Sequence, residues 1–141
     1  MGRVIQTGDT PAKRRRRHLR SCAEVIRLLA QRPTFDAEAQ DMAAFLVFTL
    51  RDLYAVIDAS ADSWDERGYW KKAEKLRHDW LWARHAAADL ETLILNDRWP
   101  DVPPLLIGLV PHVSDVTVAT LTRDADWWCG ALRALRRASA S

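Results

Sequence analysis

The sequence predicts an all-α fold, a single-domain bundle of four to five helices that follows a short extended segment at the amino terminus. Residues 42–57, MAAFLVFTLRDLYAVI, are apolar on more than one helical face, which is typical of a helix surrounded by others. Apolar residues recur at intervals of three and four over most of residues 11–137. One β-branched stretch, residues 113–122, has no second strand candidate to pair with, and an isolated strand cannot satisfy its backbone.

The predicted domain boundary lies at the first helix signal. Thr10 offers an N-cap, and Pro11 stands at the first helical position after it. A chain of 141 residues fits one domain, and a domain near this size buries roughly 68–70% of the surface that it exposes when unfolded. We therefore expect an extended segment over residues 1–10 and a single helical domain over residues 11–141.

The first two predicted helices supply an amphipathic helix and a central one. The first should cover about residues 11–32, because Pro33 cannot continue it. Its apolar positions recur at three and four residues: Leu19, Cys22, Ile26 and Leu29. The second should begin within residues 34–36 and continue to about Asp62. Because this second helix contains the stretch 42–57, we expect it to lie at the centre of the bundle.

A third predicted helix follows directly. Residues 63–66 form a capping-box pattern, in which a serine and a glutamate satisfy two backbone amides at the start of a helix. Apolar positions then alternate at three and four residues over three heptads: Ala73, Leu76, Trp80, Ala83, Ala87, Leu90 and Ile94. The uninterrupted alternation predicts one helix that reaches about Asn96.

The rest of the chain is predicted to contain two shorter helices. Residues 105–110, LLIGLV, begin an apolar helix that Pro111 must end or kink. The β-branched residues of 113–122 allow a strand, but without a partner strand the choice is between helix and irregular structure. Thr122 is predicted to cap the last helix, which has carboxylates near its amino end and arginines near its carboxyl end, as the helix dipole prefers.

Charge is distributed unevenly along the chain, although the net charge is only +2. Residues 1–32 contain nine Lys or Arg and two carboxylates, whereas residues 33–66 contain one Arg and eight carboxylates. The run KRRRRHLR, residues 13–20, stands in the first turns of the predicted first helix. The helix dipole disfavours an exposed cation there by about 0.3–1 kcal/mol, so we expect another interaction to compensate for this placement.

This basic run is the clearest functional candidate. On a helix, Arg16, Arg20 and Arg27 align along about 16 Å, a geometry that could track phosphates. The candidate nucleic-acid-binding residues are Arg14, Arg15, Arg16, Arg17, Arg20 and Arg27. Two other interpretations stand beside this one. The arginines could pair with the acidic stretch, within one chain or between copies of it, or they could form a solvated face.

Tryptophan is unusually frequent, at seven of the twelve aromatic residues. Trp80 lies in an apolar stripe and Trp127 and Trp128 flank another, so core or interface packing is predicted for these three. The other four are harder to bury in one core, and amphipathic residues of this kind often lie in interfaces. The candidate partner-interface residues are Trp64, Trp70, Trp82 and Trp99. They favour a protein partner or self-association, although they could instead stack on bases.

No metal, cofactor or catalytic residue is predicted. Glu74, His78, His85 and Asp89 could share one helical face, but metal sites in bundles generally need inward ligands from several helices. The chain has no G-x-S-x-G elbow, and neither cysteine stands beside a histidine in a local catalytic signature. The sequence therefore favours a protein without enzymatic activity. An enzyme whose site is assembled from distant residues is the alternative.

Composition bounds the environment of the protein. The longest uncharged run, residues 102–114, is short and holds three prolines, and the amino terminus has no apolar signal region. Two cysteines far apart form neither a disulfide framework nor a zinc signature. We expect a soluble cytoplasmic interaction or scaffold subunit whose basic first helix contacts an anionic partner, nucleic acid first. The alternative is a protein-only, homo-oligomeric module in which the basic helix pairs with the acidic one.

Overall fold

The computed structural model describes residues 9–140, and no strand occurs among them. The helices are α1 (Pro11–Ala30), α2 (Ala37–Glu66), α3 (Trp70–Asp79), α4 (Leu81–Leu95), α5 (Val102–Val113), α6 (Ala125–Trp128) and α7 (Ala131–Ala140). A 3₁₀ turn, Trp99–Asp101, precedes α5. The predicted all-α class is confirmed, but six helices of ten or more residues occur among the described residues rather than four to five. Residues 1–8 of the predicted extended segment lie outside the described range.

The predicted central helix is α2, and it is the longest helix of the described chain. It contacts α1, α3, α4, α6 and α7. Its largest buried side chains are at most 1% exposed: Met42, Leu46, Leu50, Leu53 and Ile57. Burying one such side chain contributes roughly 1.5–3 kcal/mol. Buried residues of α1, α4, α5, α6 and α7 share one apolar core cluster with those of α2.

The junction between α2 and α3 differs from the prediction. The capping box expected at residues 63–66 does not form, because α2 continues through them. A Schellman motif ends the helix instead: the Tyr69 amide donates to the carbonyl of Trp64 and the Gly68 amide to that of Asp65, both over 2.9 Å. Gly68 has a φ of +83°, in the left-handed region that this motif requires and that glycine tolerates.

The predicted third helix is two helices, α3 and α4. Trp80 interrupts the helical backbone between them with φ −112° and ψ 7°. Both helices pack their apolar sides on α2, so the alternation at three and four residues continues across the break. Periodicity alone therefore cannot reveal it. One consequence is that Glu74 and His78 belong to α3, whereas His85 and Asp89 belong to α4.

The C-terminal region also departs from the prediction at two positions. Pro111 does not end α5, which continues to Val113, and the alternative effect predicted for it, a kink, stays a prediction. Thr122 does not cap the last helix. Asp124 caps the single turn of α6, and α7 begins later, at Ala131.

A carboxylate of α2 supplies the cap that α7 needs. Asp41 accepts hydrogen bonds from the amides of Gly130 (3.3 Å) and Leu132 (2.9 Å), which stand at the amino end of α7. Gly130 has a φ of +81°, which allows the sharp turn from α6 into α7. The central helix therefore fixes the position of the last helix through a charge-assisted cap as well as through apolar contacts.

Residues 114–124, here called the strap, contain no helix or strand and run along α1. Glu24 of α1 is 0% exposed and holds the strap through its carboxylate. It accepts from the amide of Thr122 (2.6 Å), the hydroxyl of Thr122 (2.9 Å) and the amide of Arg123 (2.9 Å), and Arg20 Nε donates to it over 2.7 Å. Burial raises the pKa of Glu24, but the donors from Arg123, Thr122 and Arg20 outweigh it and lower the pKa to about 2.

We predict that Glu24→Gln lowers the free energy of unfolding by about 3 kcal/mol at neutral pH, because the folded-state pKa lies well below its ordinary 4.5. A carboxylate with a depressed pKa stabilises the fold above its unfolded pKa, and the contribution is lost as pH falls from 4.5 towards 2. The difference between wild type and variant should therefore shrink over that interval. Urea unfolding of both proteins between neutral pH and about pH 2 measures it.

Glu74→Gln is the matched control for this prediction. Glu74 is an exposed glutamate of α3 with no hydrogen bond or ion pair within residues 9–140, so its substitution should change stability by less than about 0.5 kcal/mol. A Glu24→Gln difference that stays constant down to pH 2 would contradict the charged buried carboxylate.

Candidate functional site

The arginines predicted to bind nucleic acid fall into two groups, and the second half of α1 holds one of them. Arg20 Nη2 donates to the carbonyl of Thr120 over 2.6 Å. Arg27 donates to the carbonyls of Val116 and Val118, both over 3.4 Å. Arg20 also pairs with Glu24. These two side chains therefore hold the strap against α1, which is a structural role.

The other four arginines lie in the first two turns of α1. Asp9 pairs with Arg17 over 3.1 Å and with Arg14 over 3.9 Å. The guanidinium of Arg15 lies 5.7 Å from the centre of the Trp80 ring. The Arg16 side chain is exposed and makes no hydrogen bond or ion pair within residues 9–140. With Lys13, the amino end of α1 thus presents five cations beside one carboxylate.

The turn between α2 and α3 carries a second set of cations, which the sequence analysis did not single out. Trp64 and Tyr69 meet edge to face with their ring centres 5.6 Å apart, as the apolar contact of a Schellman motif requires. Arg67 lies 4.4 Å from the centre of the Trp64 ring, and Lys72 lies 4.9 Å from it. The aromatic pair therefore holds two cations at the surface.

Trp70 and Lys71 stand next to this pair at the start of α3. The Trp70 side chain is 59% exposed, and Tyr69 is 51% exposed. Lys71 Nζ lies 5.5 Å from the centre of the Trp70 ring. Residues 68–72 together line a shallow pocket of about 230 Å³. An exposed indole ring with a lysine beside it can accept a flat aromatic ligand that carries negative charge.

The two sets of cations adjoin, because α1 and α2 pack against each other. Arg14 of α1 and Arg67 of the turn line the same groove of about 280 Å³, together with Pro11, Ser63 and Trp64. We call the combined surface the aromatic–basic end. Its members are Arg14, Arg16, Arg17, Trp64, Arg67, Tyr69, Trp70, Lys71 and Lys72. A groove with cations on two sides and exposed aromatic rings can hold an anionic chain.

The four tryptophans predicted to form a partner interface have different surroundings. Trp64 and Trp70 belong to the aromatic–basic end. The Trp82 ring stacks on His112 with centres 4.3 Å apart, and Trp99 stacks on Phe35 with centres 5.9 Å apart. Trp82 and Trp99 are half-buried and pack against the core. The predicted interface role of all four residues stays a prediction.

The acidic stretch has cationic partners of its own. Arg77 of α3 pairs with Asp58 (2.8 Å), Asp65 (2.9 Å) and Asp62, all on α2. The hydrogen bond to Asp58, with those to its neighbours, raises the pKa of Arg77 above its ordinary value. Arg32, which follows α1, pairs with Asp36 and Glu38. Among residues 9–140, the ion pairs of Arg14 and Arg17 are with Asp9 rather than with this stretch.

Residues 9–140 offer few side chains for metal or thiol chemistry. No group of three His, Cys, Asp or Glu side chains among residues 9–140 comes close enough to hold a metal ion. None of the helices in that range combines the length and the apolar character that a bilayer span needs. Cys22 is buried and Cys129 is exposed, and both thiols are free. Burial raises the pKa of the Cys22 thiol to about 12, so it is protonated at neutral pH.

Comparisons with protein-family models, with curated proteins and with solved structures find no match to this chain. Residues of the site are therefore assigned on geometry and chemistry alone. A signal for the missed part was present in the sequence, since residues 67–72, RGYWKK, interleave three cations with two aromatic residues. That composition is the one that stacking and phosphate contacts together need.

We predict that Arg77→Ala lowers the free energy of unfolding by about 1–2 kcal/mol, because three carboxylates of α2 lose their shared counter-charge. The loss is modest because all three carboxylates are partly exposed to solvent. Arg77→Lys should recover only part of the loss, since one ammonium group cannot reproduce a planar fork of donors. High salt should narrow the difference between Arg77→Ala and wild type. Urea unfolding at low and high salt measures both effects, and equal stability at low salt would contradict the clamp.

Proposed function

We propose that this protein is a non-enzymatic interaction subunit that binds nucleic acid with its aromatic–basic end. The observation that carries the proposal is the groove that Arg14 and Arg67 line together with Trp64. Cations from two separate segments of the chain converge there, and exposed aromatic rings stand beside them. Phosphate contacts from Lys and Arg supply most of the affinity of nucleic-acid binding, and these side chains can reach a backbone from two directions.

Several cations outside the aromatic–basic end are engaged by the fold itself, which supports placing the binding surface at that end. Arg20 and Arg27 hold the strap, and Arg77 holds the carboxylates of α2. Burial is the main cause that lowers the pKa of His18, so this histidine adds no positive charge to the run at neutral pH. Four cations of the aromatic–basic end have no ion pair among residues 9–140 and can therefore meet an anionic ligand: Arg16, Arg67, Lys71 and Lys72.

The proposal treats residues 11–141 as one domain that acts in the cytoplasm, without a cofactor. Buried residues of α1, α2, α4, α5 and α7 belong to one core cluster, which supports a single domain. Two free cysteines suit a reducing compartment. The proposal includes a further partner, another protein or a second copy of this chain, because Trp70 and Trp127 are exposed. An enzyme with a site assembled from distant residues is the last alternative, if the protein binds neither nucleic acid nor a second copy of itself.

A protein-only, homo-oligomeric module is the second candidate function. In that case Arg14, Arg16 and Arg17 would meet carboxylates of a second copy. Asp52 and Glu66 of α2 are exposed, which favours this candidate. Nucleic acid is the first candidate because its bases can stack on the exposed aromatic rings beside the cations. Carboxylates of a second copy would pair with the cations but would make no use of those rings.

We predict that wild type binds labelled nucleic acid with log K falling linearly against log salt, at a slope of about −0.7 per phosphate contact for a single strand or −0.9 for a duplex. Arg14→Ser/Arg16→Ser/Arg17→Ser and Arg67→Ser/Lys71→Ser/Lys72→Ser should each flatten that slope, by up to about three contacts. Fluorescence anisotropy with DNA and RNA, single-stranded and duplex, at several salt concentrations measures the slopes. Arg15 is retained because it packs on Trp80.

Arg133→Ser/Arg136→Ser/Arg137→Ser is the matched control, because it also removes three positive charges. These arginines line a groove with Ala37 and Asp41, near the opposite end of α2 from Arg67. The separation along a helix of this length is about 36–45 Å. The control should leave the salt slope unchanged. No salt-dependent binding by wild type would end the nucleic-acid proposal, and a change of oligomeric state in the first variant would favour the protein-only module.

A further inference from the structure

Trp70 is the aromatic residue whose position the fold explains least. It opens α3 with 59% of its surface exposed, and among the described rings and cations its only close partner is Lys71. Trp64 and Tyr69 complete the Schellman motif, and Trp128 is buried with its indole nitrogen donating to Glu38. An indole that leaves most of its surface in water forgoes a large apolar contribution to stability. Its exposure is therefore better accounted for by a ligand than by packing.

The surroundings of Trp70 indicate the chemistry of that ligand. Residues 68–72 form a shallow pocket beside the ring, and Lys71 and Lys72 both line it. A base that stacked on the indole would bring its own phosphate within reach of these lysines. Arg67, which directly precedes this pocket in the chain, lines the groove with Arg14, and that groove can hold further phosphates of the strand. Stacking and phosphate contacts thus alternate along one surface, as in proteins that bind single strands.

The packing of α1 argues against a duplex read by this helix. A helix that reads the major groove, about 12 Å wide, must present one exposed face to the base edges over several turns. In α1, residues 21–26 are all buried, and the helix is covered by α2, α5 and the strap. Arg20 and Arg27, which would be needed to follow a groove, hold strap carbonyls. The first turns of α1 are not covered in this way, and they share a groove with Trp64 and Arg67, which flank the turn that leads to Trp70.

We propose that the ligand of the aromatic–basic end is single-stranded nucleic acid, with one unpaired base stacked on Trp70 and adjacent phosphates on Lys71, Lys72 and the Arg14–Arg67 groove. This inference rests on the proposed function, since it specifies the ligand of the same surface. A duplex hides the faces of its bases within the helical stack, so the indole can select against it. The lysines then contribute affinity without sequence preference.

The test compares Trp70→Ala with wild type on labelled single strands, duplexes and single strands that lack bases. Loss of one base–aromatic stack should weaken single-strand binding by about 5- to 150-fold. The salt slope should not change, because no charge is removed. Binding to duplex and to the abasic strand should be the same for both proteins. Trp70→Phe should retain most of the affinity, whereas Trp70→Leu, which keeps apolar bulk without a ring, should not.

Trp127→Ala is the matched control, because Trp127 is also an exposed tryptophan, 46% exposed, with the guanidinium of Arg123 4.5 Å from its ring centre. It lies outside the aromatic–basic end, so single-strand affinity should not change. Wild type that binds no nucleic acid overturns the proposed function itself. If wild type binds duplex and single strands equally well, with a salt slope, only the stacking inference is overturned. The same holds if Trp70→Ala binds single strands as tightly as wild type does. Equal weakening on the abasic strand would overturn it too.

Discussion

The carboxylate of Glu24 determines how the two halves of α1 are used. Burying a charged carboxylate costs several kcal/mol unless donors surround it. Here the amides of Thr122 and Arg123, a hydroxyl and Arg20 supply those donors, and they fasten the strap to α1. The second half of α1 is thereby covered, and two of its arginines are engaged by strap carbonyls. Among the six arginines considered for nucleic-acid binding, those outside this network lie at the amino end of α1.

Sequence patterns predicted the helices in which apolar residues recur over many turns. They failed where a side chain forms a hydrogen bond with a residue distant in the chain. The central helix was predicted from residues 42–57, because a helix packed on several sides must be apolar on several faces. Thr122 looked like a cap, but its hydroxyl bonds Glu24, which lies 98 residues earlier in the chain. Local reasoning cannot see such a competitor. The break at Trp80 was hidden for a different reason, since α3 and α4 both pack on α2.

Half of the candidate site, the arginines of α1, was predictable from the sequence. A run of arginines at residues 14–17 is visible in any reading of the sequence, and these residues do lie at the surface or partly so. Their neighbours could not be predicted, because the groove between Arg14 and Arg67 exists only when α1 and α2 pack together. The same packing distinguishes Arg20 and Arg27 from the others. On an isolated helix all six arginines look equivalent, whereas in the fold two of them face the strap.

The arginines at the start of α1 stand where the helix dipole disfavours them, and the fold compensates only in part. One carboxylate, Asp9, serves both Arg14 and Arg17, and Arg16 has no counter-charge within residues 9–140. Thr10 caps the backbone of α1 but carries no charge, whereas α7 has the carboxylate of Asp41 at its amino end. A stability optimum would place carboxylates at both helix starts. An anion bound at the aromatic–basic end would supply to α1 what Asp41 supplies to α7, which makes the unfavourable cations intelligible as ligand contacts.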